Sequence, residues 1–130
     1  MISKDALLSA AAKARKASYS PYSGFAVGAA VLDEHGNIFT GCNIENAAFG
    51  ETCCAERVAI FKAISSGSSR FKAIAVVGAP KDASPDKPCT PCGSCRQVLA
   101  EFCDDDMIIL SNGLETTLGA LLPEAFRLKG

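Results

Sequence analysis

The spacing of the cysteines is the feature that most constrains this chain. The run "CTPCGSC" places Cys89, Cys92 and Cys95 at two overlapping C-x-x-C spacings, and the stretch "TCCAER" holds a second pair, Cys53 and Cys54. Cysteines at such spacings are typical zinc ligands. A site of four cysteines is closed and structural, whereas a catalytic zinc keeps three protein ligands and one position for water. The number of cysteines that bind the metal therefore separates two classes of protein.

The preferences of helix starts rank the downstream cysteines. Pro91 suits the first turn of a helix, which places Cys92 and Cys95 on the opening turn, where free N–H groups and the positive end of the helix dipole stabilise thiolates. This interpretation leaves Cys89 in the preceding loop. Spacing alone also permits a closed structural site, formed by Cys54, Cys89, Cys92 and Cys95.

The upstream pair lies beside an acid, Glu56, and three thiolates with one acid form a catalytic arrangement. Cys53 and Glu56 are spaced to share a helix face and Cys54 and Glu56 normally are not, so local geometry leaves the upstream ligand open. Three thiolates around a divalent ion leave a net negative charge. We expect Arg57 and Arg96 to offset it through hydrogen bonds around the ligands, although both residues equally suit a solvated surface.

Composition indicates one packed domain over residues 1–130, because 48% of the residues are hydrophobic and 21% are charged. The net charge of −1 argues against long nucleic acid as a partner. No stretch has the pattern of a signal peptide or a membrane span. Seven cysteines are an odd number, so free or metal-bound thiols in the reducing cytoplasm fit better than disulfides.

Residue patterns predict alternating helices and strands. Ser3 caps a helix that runs to about Ala17, and "FAVGAAVLD" and "NIFTGCNIE" form an antiparallel hairpin with His35 in its turn. The later elements are a helix in "CAERVAIFKAIS", a buried parallel strand in "FKAIAVVGA", a helix over residues 92–102, a strand in "MIILSN" and a short helix in "TLGALLPEAF". This order predicts an α/β layered fold with a mixed sheet.

Two motifs together resemble a known family. "CAE" at residues 54–56, followed by "PCGSCRQ" at residues 91–97, resembles the signature of zinc-dependent nucleobase deaminases. That register selects Cys54, Cys92 and Cys95 as ligands and leaves Cys53 and Cys89 outside. Further stretches resemble the small homotetrameric cytidine deaminases: "YSPYSGFAVGAA", "TGCNIENAAFG", "CAERVAIFKAIS", "TPCGSCRQVLAEF" and "LLPEAF".

The resemblance spans residues 19–126 and implies a three-layer αβα sandwich with a mixed central sheet, assembled as a homotetramer. It implies one Zn²⁺ per subunit and hydrolytic deamination of free cytidine and 2'-deoxycytidine to uridine and 2'-deoxyuridine, with release of ammonia, in pyrimidine salvage. Glu56 would then be the catalytic acid and base, taking protons from the water and delivering them first to ring N3 and then to the leaving amino group.

The resemblance also implies substrate contacts. Asn43 and Glu45 correspond to ribose ligands, and because they flank one apolar residue they would share a face of the strand. Phe25 corresponds to a ring that packs on the pyrimidine, Ala55 offers backbone groups to the base edge, and Phe126 reaches a neighbouring subunit's site. A core strand aromatic is the simpler interpretation of Phe25, and a C-terminal core anchor that of Phe126.

One departure and three alternatives remain open. The family often has Tyr after "NAA", where this chain has Phe49, and we do not place Phe49 in the site. No basic cluster marks a pocket for a 5'-phosphate.

The alternatives are a deaminase of a cytosine-containing antibiotic such as blasticidin S, a structural zinc module that binds a protein, and an RNA-editing deaminase, which the charge balance disfavours.

Overall fold

A five-stranded mixed sheet with helices on both faces forms the framework of the protein, in a computed structural model that describes residues 3–129. The elements in chain order are α1 (Lys4–Ala14), β1 (Phe25–Asp33), β2 (Ile38–Cys42), α2 (Ala55–Ser65), β3 (Phe71–Pro80), α3 (Gly93–Phe102), β4 (Ile108–Ser111), β5 (Leu114–Thr117) and α4 (Leu118–Leu121). The strand order is β2-β1-β3-β4-β5, in which only the β3–β4 pair is parallel. This arrangement confirms the three-layer αβα sandwich.

The two central strands build separate cores because successive side chains of a strand point to opposite faces. On one face, small residues let α1 lie close to the sheet: Ala11, Ala30, Ala73 and Ala75, together with Leu7 and Val77. On the other face, Val31, Ile74 and Val76 of the strands pack in one cluster with Ile60 of α2 and Leu99 of α3. At Gly28 an added Cβ would come within 2.9 Å of Arg15 Cα. The C-terminal end of α1 therefore rests directly on the backbone of β1.

Most predicted elements are confirmed. Ser3 accepts a hydrogen bond from the Ala6 amide at 3.1 Å as the cap of α1, and His35 lies in the turn between β1 and β2. The second strand is shorter than expected and ends at Cys42.

None of the helices within residues 3–129 combines the length and the apolar character that crossing a membrane requires.

Strand β5 was not predicted. It follows an Asn-Gly turn in which Gly113 has a φ of 74°, and it pairs antiparallel with β4. Its exposed Glu115 forms an ion pair with Lys4 at 2.8 Å. The strand lies at an outer edge of the sheet and has four residues. This short length is sufficient because an edge strand pairs with only one neighbouring strand.

The strand directions bring distant parts of the sequence to one edge of the sheet. The chain leaves the carboxyl end of β3 and returns to the parallel strand β4 through the loop 81–92 and α3. Phe25 begins β1 opposite Pro80, the last residue of β3. Strand β2 ends opposite Gly28, so the residues after it emerge at the same edge. In α/β sheets, sites form outside the carboxyl ends of parallel strands.

Candidate metal centre and active site

Three cysteine sulfurs meet at this edge. The Sγ atoms of Cys92 and Cys95 are 3.5 Å apart and those of Cys54 and Cys92 are 4.0 Å apart. All three sulfurs lie within 4.8 Å of one another, and no other cluster of metal-binding side chains occurs in the described residues. A tetrahedral zinc with Zn–S bonds of about 2.3 Å places its sulfurs about 3.8 Å apart. The three thiols therefore fit a zinc ion without rearrangement of the backbone.

The ligands lie where two helices begin. Cys54 is the N-cap of α2, Cys92 is the N-cap of α3, and Cys95 lies in the first turn of α3. Neither N-cap residue uses its side chain to bond the first amides of its helix. The positive ends of both helix dipoles thus lie beside the cluster, where they favour thiolates.

Helix α3, which we expected to begin at about Cys92, begins one residue later. Helix α3 begins at Gly93, so Pro91 lies before the helix and not in its first turn. Cys92 has extended backbone angles, with φ −67° and ψ 170°, as an N-cap residue does. Cys92 and Cys95 still lie at the start of one helix. The preference for these two cysteines over Cys89 therefore does not depend on the exact first residue of α3.

The choice between the upstream cysteines, which local geometry left open, is settled by the backbone. Cys53 pairs with Ile44 through two main-chain hydrogen bonds of 2.9 Å, and so belongs to the extended segment before α2. Cys54 is the next residue and caps the helix. Its sulfur joins the cluster, and that of Cys53 does not.

Arg57 provides the positive charge that we expected beside the ligands. Its Nη2 donates to Cys54 Sγ at 3.2 Å, and its Nε is buried without a hydrogen-bond partner among the described residues. A hydrogen bond from the Cys95 thiol, together with Arg57, lowers the pKa of Cys54 to about 5. The same bond to Cys54, together with burial, raises the pKa of Cys95. Because thiols bind a metal as thiolates, metal binding at this cluster releases protons.

Arg96 does not contact a thiol directly, contrary to the expectation for both arginines. Its described hydrogen bonds run to the carbonyls of Pro91 at 2.7 Å and Leu121 at 2.9 Å, and to Thr90 Oγ1 at 3.3 Å. These contacts tie the loop before α3 to the end of α4. Arg96 therefore fixes the position of Cys92 through the backbone.

Glu56 is a buried acid next to the cluster and outside its ligand set. It is the second residue of α2 and is only 5% exposed. Burial raises the pKa of Glu56 to about 7, although its own backbone amide and the Cys95 thiol act in the opposite direction. A carboxyl group whose pKa lies near neutrality can both accept and return a proton.

Cys89, which stays outside the ligand set, forms part of the wall of the site. Its amide donates to Ser111 Oγ at 2.7 Å. Gly78 of β3 leaves room for it, since an added Cβ there would come within 2.9 Å of both Cys89 Sγ and Phe25 Cε2. Burial, with repulsion from Glu56, raises the pKa of the Cys89 thiol. Cys89 and the Phe25 ring thus both lie close to Gly78, and the Cys89 thiol is within electrostatic reach of Glu56. Spacing rules did not reveal this position.

Phe25 and Asn43 are linked through the backbone. Phe25 begins β1 and is 39% exposed, so it is not a core aromatic. Asn43 follows β2 and is buried, with Nδ2 donating to the Phe25 carbonyl at 2.9 Å. Its Oδ1 accepts from the Val27 amide at 2.9 Å and from Ser18 Oγ at 2.5 Å. Asn43 therefore fixes the start of β1 and keeps one amide hydrogen for another acceptor.

Glu45 lies at the floor of a small pocket. Its Oε1 accepts from the amides of Tyr22 at 2.9 Å and Ser23 at 3.1 Å, and Oε2 accepts from Ser23 Oγ. The Ser23 hydroxyl bond leads the effects that lower the pKa of Glu45, so the group is an anionic acceptor at neutral pH. The pocket measures about 300 Å³ and is lined by Tyr22, Ser23, Glu45, Phe49 and Thr52.

Phe49, which we did not expect in the site, lies beside Glu45. Its ring is 76% exposed, lines the pocket beside Glu45 and meets the Tyr22 ring edge-on, with centroids 6.1 Å apart. No residue pattern predicts this position, because the short 3₁₀ turn over residues 49–51 that carries Phe49 has no repeating pattern. The missing hydroxyl leaves an apolar rim on the pocket.

The two remaining candidates occupy different surroundings. Ala55 is the fully buried first residue of α2, directly between Cys54 and Glu56. Phe126 is 67% exposed, which rules out the interpretation of a core anchor. The Phe126 carbonyl accepts a hydrogen bond from Gln97 Nε2 of α3 at 2.9 Å. The C-terminal segment is thus held to the helix that carries Cys95, with an aromatic ring left in solvent.

Comparison with known proteins agrees with this geometry. Residues 1–111 match the family described as the cytidine and deoxycytidylate deaminase zinc-binding region. A cytidine deaminase from Sporosarcina psychrophila is 51% identical over 92% of this chain and 88% of its own length. A cytidine deaminase from Halalkalibacterium halodurans is 47% identical over 92% of this chain and 91% of its own length.

The fold gives the same result. The crystal structure of cytidine deaminase from Mycobacterium tuberculosis superposes with a TM-score of 0.87 at 40% identity, covering 98% of this chain and 100% of that one. Three thiols spaced for zinc, a buried acid outside the ligand set and relatives that match along most of the sequence lead to one assignment. This chain belongs to the zinc-binding cytidine and deoxycytidylate deaminase family.

Proposed function

We propose that the chain, acting as a single domain over residues 1–130, catalyses the zinc-dependent hydrolytic deamination of free cytidine and 2'-deoxycytidine to uridine and 2'-deoxyuridine. The observation that carries the proposal is the ligand count. Three thiols, and not four, face one another beside the buried Glu56. Three protein ligands leave the fourth position of a tetrahedral zinc to water, which is the arrangement of a catalytic site.

The proposed reaction divides the work between the metal and one acid. When bound by Cys54, Cys92 and Cys95, zinc supplies a Lewis acid that lowers the pKa of a water in the fourth position. Glu56 would accept one proton from this water at a carboxylate oxygen as the water oxygen attacks C4 of cytosine, and would pass that proton to ring N3. Glu56 would then take the second proton from the new C4 hydroxyl and give it to the leaving amino group, so that the C4 carbonyl forms and ammonia departs. Arg57 balances the charge that three thiolates leave around a divalent cation.

Phe25 and Ala55 are assigned to the base. The partly exposed Phe25 ring packs against one face of the pyrimidine, next to Cys89. The backbone of Ala55 contacts the base edge, since it lies between a metal ligand and the acid.

Asn43 and Glu45 are assigned to the ribose. Glu45 is an ionised acceptor at the floor of an open pocket, and Asn43 retains one free amide hydrogen. A carboxylate at this position accepts hydroxyl groups but repels a phosphate. The site therefore favours nucleosides over their 5'-monophosphates.

Steady-state rates on five compounds test this proposal: cytidine, 2'-deoxycytidine, their two 5'-monophosphates and blasticidin S. We expect both nucleosides to be deaminated with kcat/KM of at least about 10⁴ M⁻¹s⁻¹, the lower end of the usual range for natural substrates. The monophosphates should react at least about tenfold less efficiently, because of the Glu45 charge. Preferential turnover of the antibiotic, or no turnover of either nucleoside, would contradict the assignment.

We further propose that the enzyme is a homotetramer with shared active sites. Three aromatic rings support this proposal because they are largely exposed on one chain: Tyr22, Phe49 and Phe126. Exposed aromatics near a site are typical of surfaces that a partner covers. Light scattering should give four times the chain mass of 13.5 kDa. A fully active species of monomer mass would contradict shared sites.

Salvage of pyrimidine nucleosides in the cytoplasm is the proposed setting of the reaction. The seven cysteines are all unpaired thiols, which suits a reducing compartment. Recovery of the active enzyme from the medium, and not from cell extract, would contradict this placement.

A further inference from the structure

Arg15 makes an unusual set of contacts at the edge of the sheet that carries the site. Its Nε donates to the Ala26 carbonyl at 2.9 Å. Its Nη2 lies within hydrogen-bond distance of three more carbonyl oxygens, those of Ala79 at 3.0 Å, Pro80 at 2.6 Å and Ala83 at 3.0 Å. The acceptors come from the start of β1, the end of β3 and the loop that leaves β3. One half-buried side chain thus ties three separate segments together.

These segments frame Phe25. Phe25 pairs with Pro80 and Ala26 pairs with Ala79 in the β1–β3 ladder. The Phe25 carbonyl is already bound by Asn43, and the next carbonyl, that of Ala26, is bound by Arg15. The ring itself lies over Gly78, against the Cys89 sulfur. Arg15 therefore holds the backbone on both sides of the surface on which Phe25 rests.

The position of Arg15 is fixed from the other side by close packing. Arg15 follows the last residue of α1, and the glycine at position 28 lets the Arg15 backbone approach β1. Each described hydrogen bond of its side chain ends on a neutral backbone carbonyl. A guanidinium group offers five N–H donors in a rigid plane, whereas a lysine ammonium offers one nitrogen. The fork geometry, and not the charge alone, matches this set of acceptors.

We propose that Arg15 is a positioning residue for the substrate site: it sets the place of the Phe25 ring by clamping the ends of β1 and β3 and the loop residue Ala83. The inference rests on the proposed function, in which Phe25 packs on the pyrimidine. The described contacts of the Arg15 side chain include neither Glu56 nor a metal ligand. Its loss should therefore impair substrate binding far more than the chemical step.

The test compares Arg15→Lys and Arg15→Ala with Lys16→Ala, which removes a neighbouring exposed charge and serves as the matched control. For both Arg15 variants, KM for cytidine should rise about tenfold while kcat changes by less than about threefold and zinc content stays constant. Arg15→Lys should fail to restore KM. If Arg15→Ala does not fold, Arg15→Lys decides the question alone.

A second readout does not depend on substrate. Hydrogen exchange of the backbone amides in residues 24–27 and 79–84 should accelerate in both Arg15 variants and stay unchanged in Lys16→Ala. Unchanged exchange in these segments overturns the inference, and so does accelerated exchange with an unaltered KM. A KM restored by lysine would show that the charge near the helix end matters and the fork does not. If the unaltered enzyme deaminates no nucleoside, the proposed function fails, and the exchange data alone then decide whether Arg15 clamps the strand ends.

Discussion

The Glu56→Gln enzyme is expected to bind zinc as fully as the unaltered enzyme and to deaminate cytidine about 100- to 10,000-fold more slowly. Glutamine nearly matches the volume of glutamate in this buried position, but it cannot carry a proton between water and the base. The carboxylate lies outside the set of metal-binding atoms, so coordination should not change. The measurements are kcat with cytidine and zinc content by atomic absorption.

Two comparisons keep this prediction specific. Glu101→Gln makes the same chemical change at an exposed position of α3 and should leave both kcat and zinc content unaltered. Glu56→Ala should also keep its zinc and its fold while losing turnover. Zinc-free Glu56→Gln protein would show that Glu56 is a ligand, and near-normal kcat would assign the proton transfer to another group.

Replacing a single ligand should remove the metal. Cys92→Ser and Cys95→Ser enzymes are expected to fall from about one zinc per chain to nearly none and to lose activity with it, since a zinc held by two thiolates has lost a third of its protein ligands. A hydroxyl group is a poor substitute because it stays protonated at neutral pH. Zinc content after dialysis and sulfur coordination by metal-edge spectroscopy measure this effect.

Cys89→Ser and Cys53→Ser are the matched controls, because each alters a thiol within three residues of a ligand but outside the cluster. Both variants should keep one zinc per chain. The unaltered enzyme should show three sulfurs and one lighter atom around the metal. Four sulfurs, or loss of zinc in Cys89→Ser, would instead identify the closed structural site that spacing alone permitted.

Most of the framework could be predicted from the sequence. Strands β1, β3 and β4 are mostly apolar runs, and the three longer helices have helix propensity, sufficient length or a residue suited to the helix start. Strand β5 carries no such pattern, because its four residues are mostly polar and its position depends on pairing with β4. The Asn-Gly turn before it was a usable signal, since this pair favours two-residue hairpins.

The residues of the site likewise include some that local rules predict and some that they do not. Cys92 and Cys95 could be ranked because the start of a helix has local rules, but the choice of Cys54 over Cys53 required either the resemblance or the bridge between Cys53 and Ile44. The positions of Phe49 in the pocket beside Glu45 and of Cys89 close to Gly78 could not be predicted, because both arise from long-range packing. The contacts of Arg15 could not be predicted for the same reason. Its acceptors are backbone carbonyls, which every residue has, so the residue types do not indicate them.

The short outer strands of the sheet bear on the solubility of the folded protein. An edge strand offers a row of unpaired amides and carbonyls that can recruit a strand from another molecule and start aggregation. Here the outer strands have five and four residues, and β5 carries the Lys4–Glu115 ion pair. A recruited strand would have to displace or desolvate these charges. Strand β5, which we did not predict, thus protects this edge of the sheet against the addition of strands from other molecules, because it is short and carries an ion pair.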